Sequence, residues 1–256
     1  MNFSNYTFNL TKIFKRTFNY YKHKIIFKIY KKSHFIGSYN KASLLRNFNY
    51  VYPEKLGNNI FLLNKNLSDR YSLLIDFVKN LKETNINILE IGGGANPQQI
   101  YLNEYVKKNI KSYVLETRNF CSIINEKIPE KYLDSIFYTH EIEKIDLKKI
   151  DIAIFTSSIQ YLEDYRKILN KINNHSIKYI IITESIFTNF EKDIFVLQKN
   201  LDFPIPCCWI SKKKFLHILN ELDYKLIKIV SRKKGFYKHN IIKSKDFATY
   251  DLIFSK

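Results

Sequence analysis

The chain has 256 residues, enough for one large α/β domain with a substantial core. It carries 42 Lys and Arg against 24 Asp and Glu, so its net charge of +18 favours partners of negative charge over cationic ones. Its three cysteines form neither a disulfide framework nor a metal-ligand pattern, which disfavours a disulfide-stabilised secreted domain and predicts a reducing cytoplasm.

The first 53 residues are predicted to be a separate basic extension, because ten Lys and Arg precede Glu54, the first acid. Apolar residues recur there at helical spacing and indicate a basic amphipathic helix: Phe14, Phe18, Tyr21, Ile25 and Ile29. Such a helix packs on the rest of the chain, lies on an anionic membrane surface, or contacts nucleic acid. Packing is the default, and membrane contact is favoured over nucleic acid. Residues 54–256 are predicted to form one domain.

From residue 67 onward the apolar pattern predicts alternating helices and strands. The predicted helices are 67–83, 98–108, 120–127, 164–173 and 212–221. The predicted strands are 85–91, 112–116, 135–140, 151–156, 179–184, 224–230 and 248–254. This alternation is typical of an α/β fold with a mainly parallel sheet and right-handed crossovers.

The most informative stretch is 85–99, where an apolar strand leads into three glycines and a helix start. Asn96 suits the N-cap position, Pro97 the first helical position, and Gln99 the position that closes a capping box. Glycine lets a ligand lie against the backbone, and the helix start favours a carboxylate or a phosphate. The stretch therefore predicts a ligand-binding turn.

The glycine pattern separates two cofactor classes. The dinucleotide fingerprint G-x-G-x-x-G needs a third glycine where Pro97 stands, which disfavours NAD and FAD. Glu90 followed by Gly92, Gly93 and Gly94 instead suits S-adenosyl-L-methionine (SAM). Glu116 lies 22 residues beyond Gly94, at the end of the next predicted strand, where an acid accepts ribose hydroxyls. A solvated strand-end charge is the alternative for Glu116.

These residues resemble class I SAM-dependent methyltransferases, and more narrowly a methyltransferase family found among bacterial surface-polysaccharide genes. The matching pieces are 88–94, 151–164, 179–183 and 206–215, within a resemblance that covers about residues 35 to 235. The resemblance implies a Rossmann-like sheet of about seven strands, with an antiparallel C-terminal strand and helices on both faces. It also implies SAM as cofactor and methyl transfer to a small-molecule or glycan acceptor in surface-polysaccharide biosynthesis.

Ligands of such sheets bind beyond the carboxyl ends of the strands, so groups that follow the strands should share one cleft. The predicted cofactor-binding residues are Glu90, Gly92, Gly93, Gly94, Asn96, Glu116, Ser157, Ser158 and Gln160. Glu184 is the first candidate for a general base or an acceptor contact. Tyr161 is a candidate for orienting a hydroxyl or closing over SAM, and a core tyrosine is an equal alternative. No metal ligand is predicted.

Two further hypotheses stay open. The basic surface favours an RNA methyltransferase, although residues 157–161 lack the Asn/Asp-Pro-Pro-aromatic pattern of enzymes that methylate base amino groups. A SAM-binding protein without catalysis is the other hypothesis. Nucleic acid is the less favoured partner. The predicted location is the cytoplasm. If the N-terminal helix lies on a membrane, the protein is expected to contact the inner membrane face peripherally.

Overall fold

The computed structural model describes residues 68–200, 203–232 and 247–256. The basic extension 1–53 therefore lies outside the described residues, and the hypotheses about it stay predictions. None of the helices in the described ranges is long and apolar enough to cross a membrane.

Five α-helices and nine strands are present in the described ranges, and most agree with the sequence prediction within a few residues. The helices are α1 Ser68–Asn80, α2 Gln98–Tyr105, α3 Arg118–Ile124, α4 Tyr165–Asn174 and α5 Lys212–Glu221. The strands are β1 Asn85–Ile91, β2 Asn109–Leu115, β3 Ile136–Thr139, β4 Ile152–Thr156, β5 Tyr179–Thr188, β6 Ile194–Asn200, β7 Phe203–Ser211, β8 Lys225–Arg232 and β9 Phe247–Ser255.

The larger compact unit holds described residues 68–193, 209–232 and 247–256, and is built on one mixed sheet. Its strands follow the order β3-β2-β1-β4-β5-β9-β8. The first five strands are parallel, whereas β9 runs antiparallel to both β5 and β8. β1 lies between β2 and β4, with Ile88 paired to Ser112 on one side and Ile152 on the other. The predicted mainly parallel α/β sheet with an antiparallel C-terminal strand is confirmed.

Helices pack on both faces of this sheet, as predicted. On one face, α1, α2 and α3 share a core with Ile88, Val114, Ile154 and Ile181. On the other face, Phe215 of α5 is the centre of a cluster of aromatic rings. Its ring centroid lies 5.7 Å from that of Tyr165 on α4, 5.2 Å from Phe187 on β5 and 6.2 Å from Phe254 on β9. Alternation along each strand supplies apolar side chains to both layers.

β5 continues to Thr188, four residues beyond its predicted end at Glu184. The extension is held by β9 along one edge, where Thr188 pairs with Phe247, and by parallel pairing of Phe187 with Ile210 of β7. Glu184 therefore lies inside a strand and not at its end.

Neither β6 nor β7 was predicted as a strand. They are neighbours in the sheet order, and residues 194–208 lie outside the larger compact unit. Pro204 and Pro206 within β7 argue against a strand from sequence, because proline donates no ladder hydrogen bond.

Candidate ligand-binding site at the carboxyl edge of the sheet

Parallel strands bring several of the predicted site residues to one edge of the sheet, beyond the carboxyl ends. The groups there are Gly92–Gly94 after β1, Glu116 after β2, His140 after β3 and Ser157–Tyr161 after β4. Glu184 joins this edge from within β5, because its neighbour Thr183 pairs in register with Thr156 at the end of β4. The described strands thus place the glycine turn, two acids and a polar segment along a common edge.

The glycine loop has a conformation that other residues rarely adopt. Gly92 and Gly94 have φ angles of 72° and 63°. The Gly92 N–H donates to Leu115 O at 2.9 Å, which fixes the start of the loop to the end of β2. A Cβ at Gly92 would lie 2.6 Å from the Cβ of Ser158, whose hydroxyl donates to Ile91 O. The segments after β1 and β4 therefore pack with no room for a side chain.

Glu90 is fully buried on β1 and caps the next helix. Its Oε2 accepts the backbone N–H of Gln98, the first residue of α2, at 2.8 Å. Its Oε1 has no hydrogen-bond partner among the described residues. A Cβ at Gly93 would lie 2.8 Å from the carboxyl carbon of Glu90. Burial raises the pKa of Glu90 to about 8, so its carboxyl group is mainly protonated at neutral pH.

The predicted capping box is wrong. α2 begins at Gln98 with Pro97 as its N-cap residue, and no side chain of that cap accepts a helix N–H. The amide of Gln99 instead donates to Ile110 O, which ties α2 to β2. Asn96 lies half-buried between the glycines and the helix. The capping function passes to a carboxyl group from β1, because β1 ends next to the first turn of α2.

Replacing Glu90 with Gln is expected to remove a pH dependence of stability. The folded state holds the Glu90 proton up to about pH 8, whereas the unfolded chain releases it near the ordinary value of 4.5. Stability therefore falls between these two values as pH rises, by about 1.4 kcal/mol per pH unit at most. Glu90→Gln keeps an oxygen for the Gln98 N–H and has no proton to release.

Urea unfolding at several pH values in this window measures the effect. Glu104→Gln, which changes an exposed carboxyl on the same α2, is the matched control and should keep the wild-type slope. Equal slopes in wild type and Glu90→Gln would contradict the assigned protonation of Glu90.

Glu116 binds the glycine loop directly. Its Oε1 accepts the Gly94 N–H at 2.8 Å, and its Oε2 accepts the Thr117 N–H at 3.1 Å. The hydroxyl of Tyr138 on β3 donates to Gly94 O at 2.8 Å, so the loop is held both from the end of β2 and from β3. Burial raises the pKa of Glu116, and its two backbone hydrogen bonds oppose that shift. A carboxylate has about four lone-pair positions, so each oxygen keeps one for a hydroxyl donor.

The segment after β4 is held by hydrogen bonds to the backbone of β5 and within the segment itself. Ser157 has a φ angle of 51°, and its N–H donates to Thr183 O at 2.9 Å. The buried Gln160 donates through Nε2 to Ser157 O at 2.9 Å, and its Oε1 lacks a partner in the described part of the chain. Tyr161 is half-buried at the end of a 3-10 turn, with its N–H bonded to Ser158 O. Tyr161 thus stands at the edge and not in the core.

Two residues at this edge escaped sequence reasoning. Asp251 on β9 is buried, and it binds both the Glu184 N–H and the guanidinium of Arg232 on β8. The signal was a single acid within the apolar run 248–254, at a position that alternation assigns to a buried face. Arg232 carried no local signal among the many basic residues that surround it.

His140, after β3, lies in a small charged cluster with Arg118 and Glu141. Its Nε2 is 3.2 Å from Nε of Arg118 and 2.9 Å from Oε1 of Glu141. Arg118 follows Glu116 by two residues, so this cluster borders the second acid of the edge. No group of three or more His, Cys, Asp or Glu that could hold a metal ion exists in the described ranges.

Comparison with solved structures gives several proteins of the same fold. Coclaurine N-methyltransferase, solved with N-methylheliamine and SAH, has a TM-score of 0.54 at 12% identity, over 92% of this chain and 89% of that one. A protein from Listeria monocytogenes described as a SAM-dependent methyltransferase has a TM-score of 0.52 at 11% identity, over 75% and 99%. The N-terminal domain of EvdMO1, solved with SAH and D-fucose, has a TM-score of 0.52 at 10% identity, over 85% and 94%.

Sequence comparison adds no relative. No protein-family model matches the chain, and no curated protein matches it. The likeness to the solved structures, at 10–12% identity, shows the fold alone: the chain has their Rossmann-like fold, in agreement with its mixed sheet.

Proposed function

We propose that the chain binds SAM at the carboxyl edge and transfers its methyl group to a small-molecule or glycan acceptor. The observation that carries this proposal is the contact between Glu116 and the Gly94 N–H, which joins the glycine loop to the acid predicted to hold the ribose. Each oxygen of Glu116 keeps capacity for a hydroxyl donor. SAH in the structures of coclaurine N-methyltransferase and the EvdMO1 domain supports SAM as the cofactor here.

The residues present fit this cofactor. Gly92 and Gly94 adopt a left-handed backbone and have no side chain, so a cofactor can lie against the loop. Glu116 supplies acceptors for the ribose hydroxyls. In this proposal the other cofactor contacts come from Glu90, Gly93, Asn96, Ser157, Ser158 and Gln160. The buried Glu90, protonated at neutral pH, adds no full charge near the bound cofactor. Pro97, at the end of the loop, still disfavours a dinucleotide.

SAM supplies an already activated methyl group, so the protein has only to orient the acceptor and exclude water. Glu184 is proposed to accept a proton from an acceptor hydroxyl or to bind that hydroxyl. Tyr161 is proposed to orient the acceptor or to close over the cofactor. Both side chains are half-buried, so each is accessible to a ligand at this edge.

A glycan acceptor is supported by the resemblance in segments 88–94 and 151–164 and by D-fucose in the EvdMO1 domain structure. A small-molecule acceptor is supported by N-methylheliamine in coclaurine N-methyltransferase. A second function, RNA methylation, is favoured by the net charge of +18, because binding to phosphates rises with positive charge. Surface-polysaccharide biosynthesis is the proposed context of the first function.

Transfer of a radiolabelled methyl group from SAM separates these functions. The full-length protein is incubated with labelled SAM and either a panel of nucleotide sugars and free sugars or total RNA, each at low and high salt. We expect label in the sugar fraction with little dependence on salt. Label in RNA that is lost at high salt would establish the second function. Saturable SAM binding with no label in either fraction would contradict both a sugar acceptor and an RNA acceptor, and would favour a SAM-binding protein.

A further inference from the structure

Glu184 is held in a backbone conformation that a glutamate rarely adopts. Its φ angle is 52°, and it lies at an irregularity of β5 where the register with β9 shifts between Ile182 and Ser185. A positive φ outside glycine, Asn and Asp is strained and persists only where surrounding groups enforce it. The contacts around Glu184 therefore indicate what enforces this conformation.

Asp251 supplies the main contact. Its Oδ1 accepts the Glu184 N–H at 2.8 Å, and its Oδ2 lies 2.6 Å from the guanidinium of Arg232. Nη1 of Arg232 also lies 3.7 Å from Oε1 of Glu184. Because Asp251 is buried, its charge needs both of these donors. Arg232 thus holds the Asp251 carboxylate in place, and Asp251 fixes the Glu184 peptide.

The contact continues to the segment after β4. The Ser157 hydroxyl donates to the carbonyl of Glu184 at 3.0 Å, and it lies 3.5 Å from Oε2 of the same residue. Ser157 has the same kind of backbone, with a φ angle of 51°. A rotation of the Glu184 peptide would move its carbonyl and break the bond that orients Ser157. A chain of contacts therefore runs from β8 through β9 and β5 to the segment after β4.

We propose that Asp251 and Arg232 are positioning residues, which hold Glu184 and, through its carbonyl, Ser157 in the geometry that binds the cofactor and faces the acceptor. The inference rests on the proposed function, in which Ser157 contacts SAM and Glu184 contacts the acceptor. An ion pair that only stabilised β8 against β9 would have no connection to cofactor affinity. The two roles therefore predict different results for the same variants.

The test replaces the pair with apolar residues of similar size, Asp251→Leu with Arg232→Met, so that neither member of the Asp251–Arg232 pair is left without the other. SAM affinity is measured by calorimetry on the full-length chain, and the backbone conformation at positions 157 and 184 by amide–α-proton couplings and carbon chemical shifts. Adding Glu184→Gly tests for rescue, because glycine adopts a positive φ without help. The control is Glu83→Leu with Lys178→Met, a pair at 2.9 Å beside the amino end of β5.

We expect the double variant to lose the left-handed signature at both positions and to bind SAM about tenfold more weakly, the effect of one lost charged hydrogen bond. The triple variant should recover most of that affinity, and the control pair should leave it unchanged. Wild-type affinity in the double variant, or a loss that glycine does not rescue, would overturn the proposal. If the double variant does not fold, Asp251→Glu gives the same readouts, since it keeps the charge but displaces the carboxylate.

Failure of the proposed function is distinguishable from failure of this inference. If wild-type protein does not bind SAM, the proposed function fails. The conformational measurement alone then tests whether Asp251 and Arg232 position Glu184 and Ser157. A left-handed signature that persists at positions 157 and 184 without Asp251 and Arg232 would then refute the positioning role.

Discussion

Glu116→Ala is expected to weaken SAM binding about ten- to hundredfold, a loss of roughly 1.5–3 kcal/mol. The variant removes the acceptor proposed for the ribose hydroxyls. It also removes the partner of the Gly94 N–H, at 2.8 Å, and so releases the loop that would lie against the cofactor. Calorimetric titration of SAM measures the effect.

Two variants separate the loss of the ribose contact from the release of the glycine loop and from a general effect of removing an acid. Glu116→Gln retains one oxygen for the Gly94 N–H but loses acceptor capacity, so its affinity should lie between those of wild type and Glu116→Ala. Glu141→Ala removes a partly exposed acid after β3 that pairs with Lys144 and His140, and it should bind SAM like wild type. If Glu116→Ala binds as tightly as wild type, Glu116 does not hold the cofactor.

The same contact predicts a pH dependence of binding. Burial raises the pKa of Glu116, and only its ionised form accepts hydrogen bonds through both oxygens. SAM affinity should therefore fall as pH decreases through that raised pKa, and Glu116→Gln should show less of this decrease.

Gly92→Ala is expected to lower the free energy of unfolding by about 2–5 kcal/mol, the sum of left-handed strain and overpacking. The φ angle of Gly92 is 72°, and the new Cβ would lie 2.6 Å from the Cβ of Ser158. Chemical unfolding of the apo protein measures the effect, so the result does not depend on any ligand.

The packing part of this loss can be isolated with Ser158→Gly, which removes the atom that the new methyl group would strike. The double variant Gly92→Ala with Ser158→Gly should be more stable than the sum of the two single changes predicts. Strictly additive losses would mean that the clash is relieved elsewhere and that only backbone strain matters. A fully stable Gly92→Ala would contradict the left-handed geometry of the loop.

Sequence patterns predicted the elements whose causes are local. Short apolar runs located β1 and β4, and the glycine triplet located the turn, because both follow from the preferences of neighbouring residues. The spacing between Gly94 and Glu116 predicted their proximity. One helix and one strand separate the carboxyl ends of two adjacent parallel strands, and this connection has a narrow range of lengths. These patterns were sufficient to place the glycine loop beside an acid.

Features that depend on distant partners were missed or misassigned. The helix cap of α2 comes from Glu90 on β1, so the local signal from Asn96 and Gln99 was misleading. β5 extends to Thr188 because β9 and the end of β7 pair with it, and neither pairing is encoded within β5. The strain at Glu184 depends on Asp251, which lies 67 residues away in sequence. Tertiary contacts of this kind override local propensity.

The most direct test of the account is titration of SAM into the wild-type full-length chain, with NAD as the comparison ligand. We predict saturable binding of SAM, no binding of NAD, and chemical-shift changes at Gly94 and Glu116 on saturation. Absence of SAM binding to folded protein, or binding that leaves the resonances of both residues unchanged, would contradict the assignment of the carboxyl edge as the cofactor site.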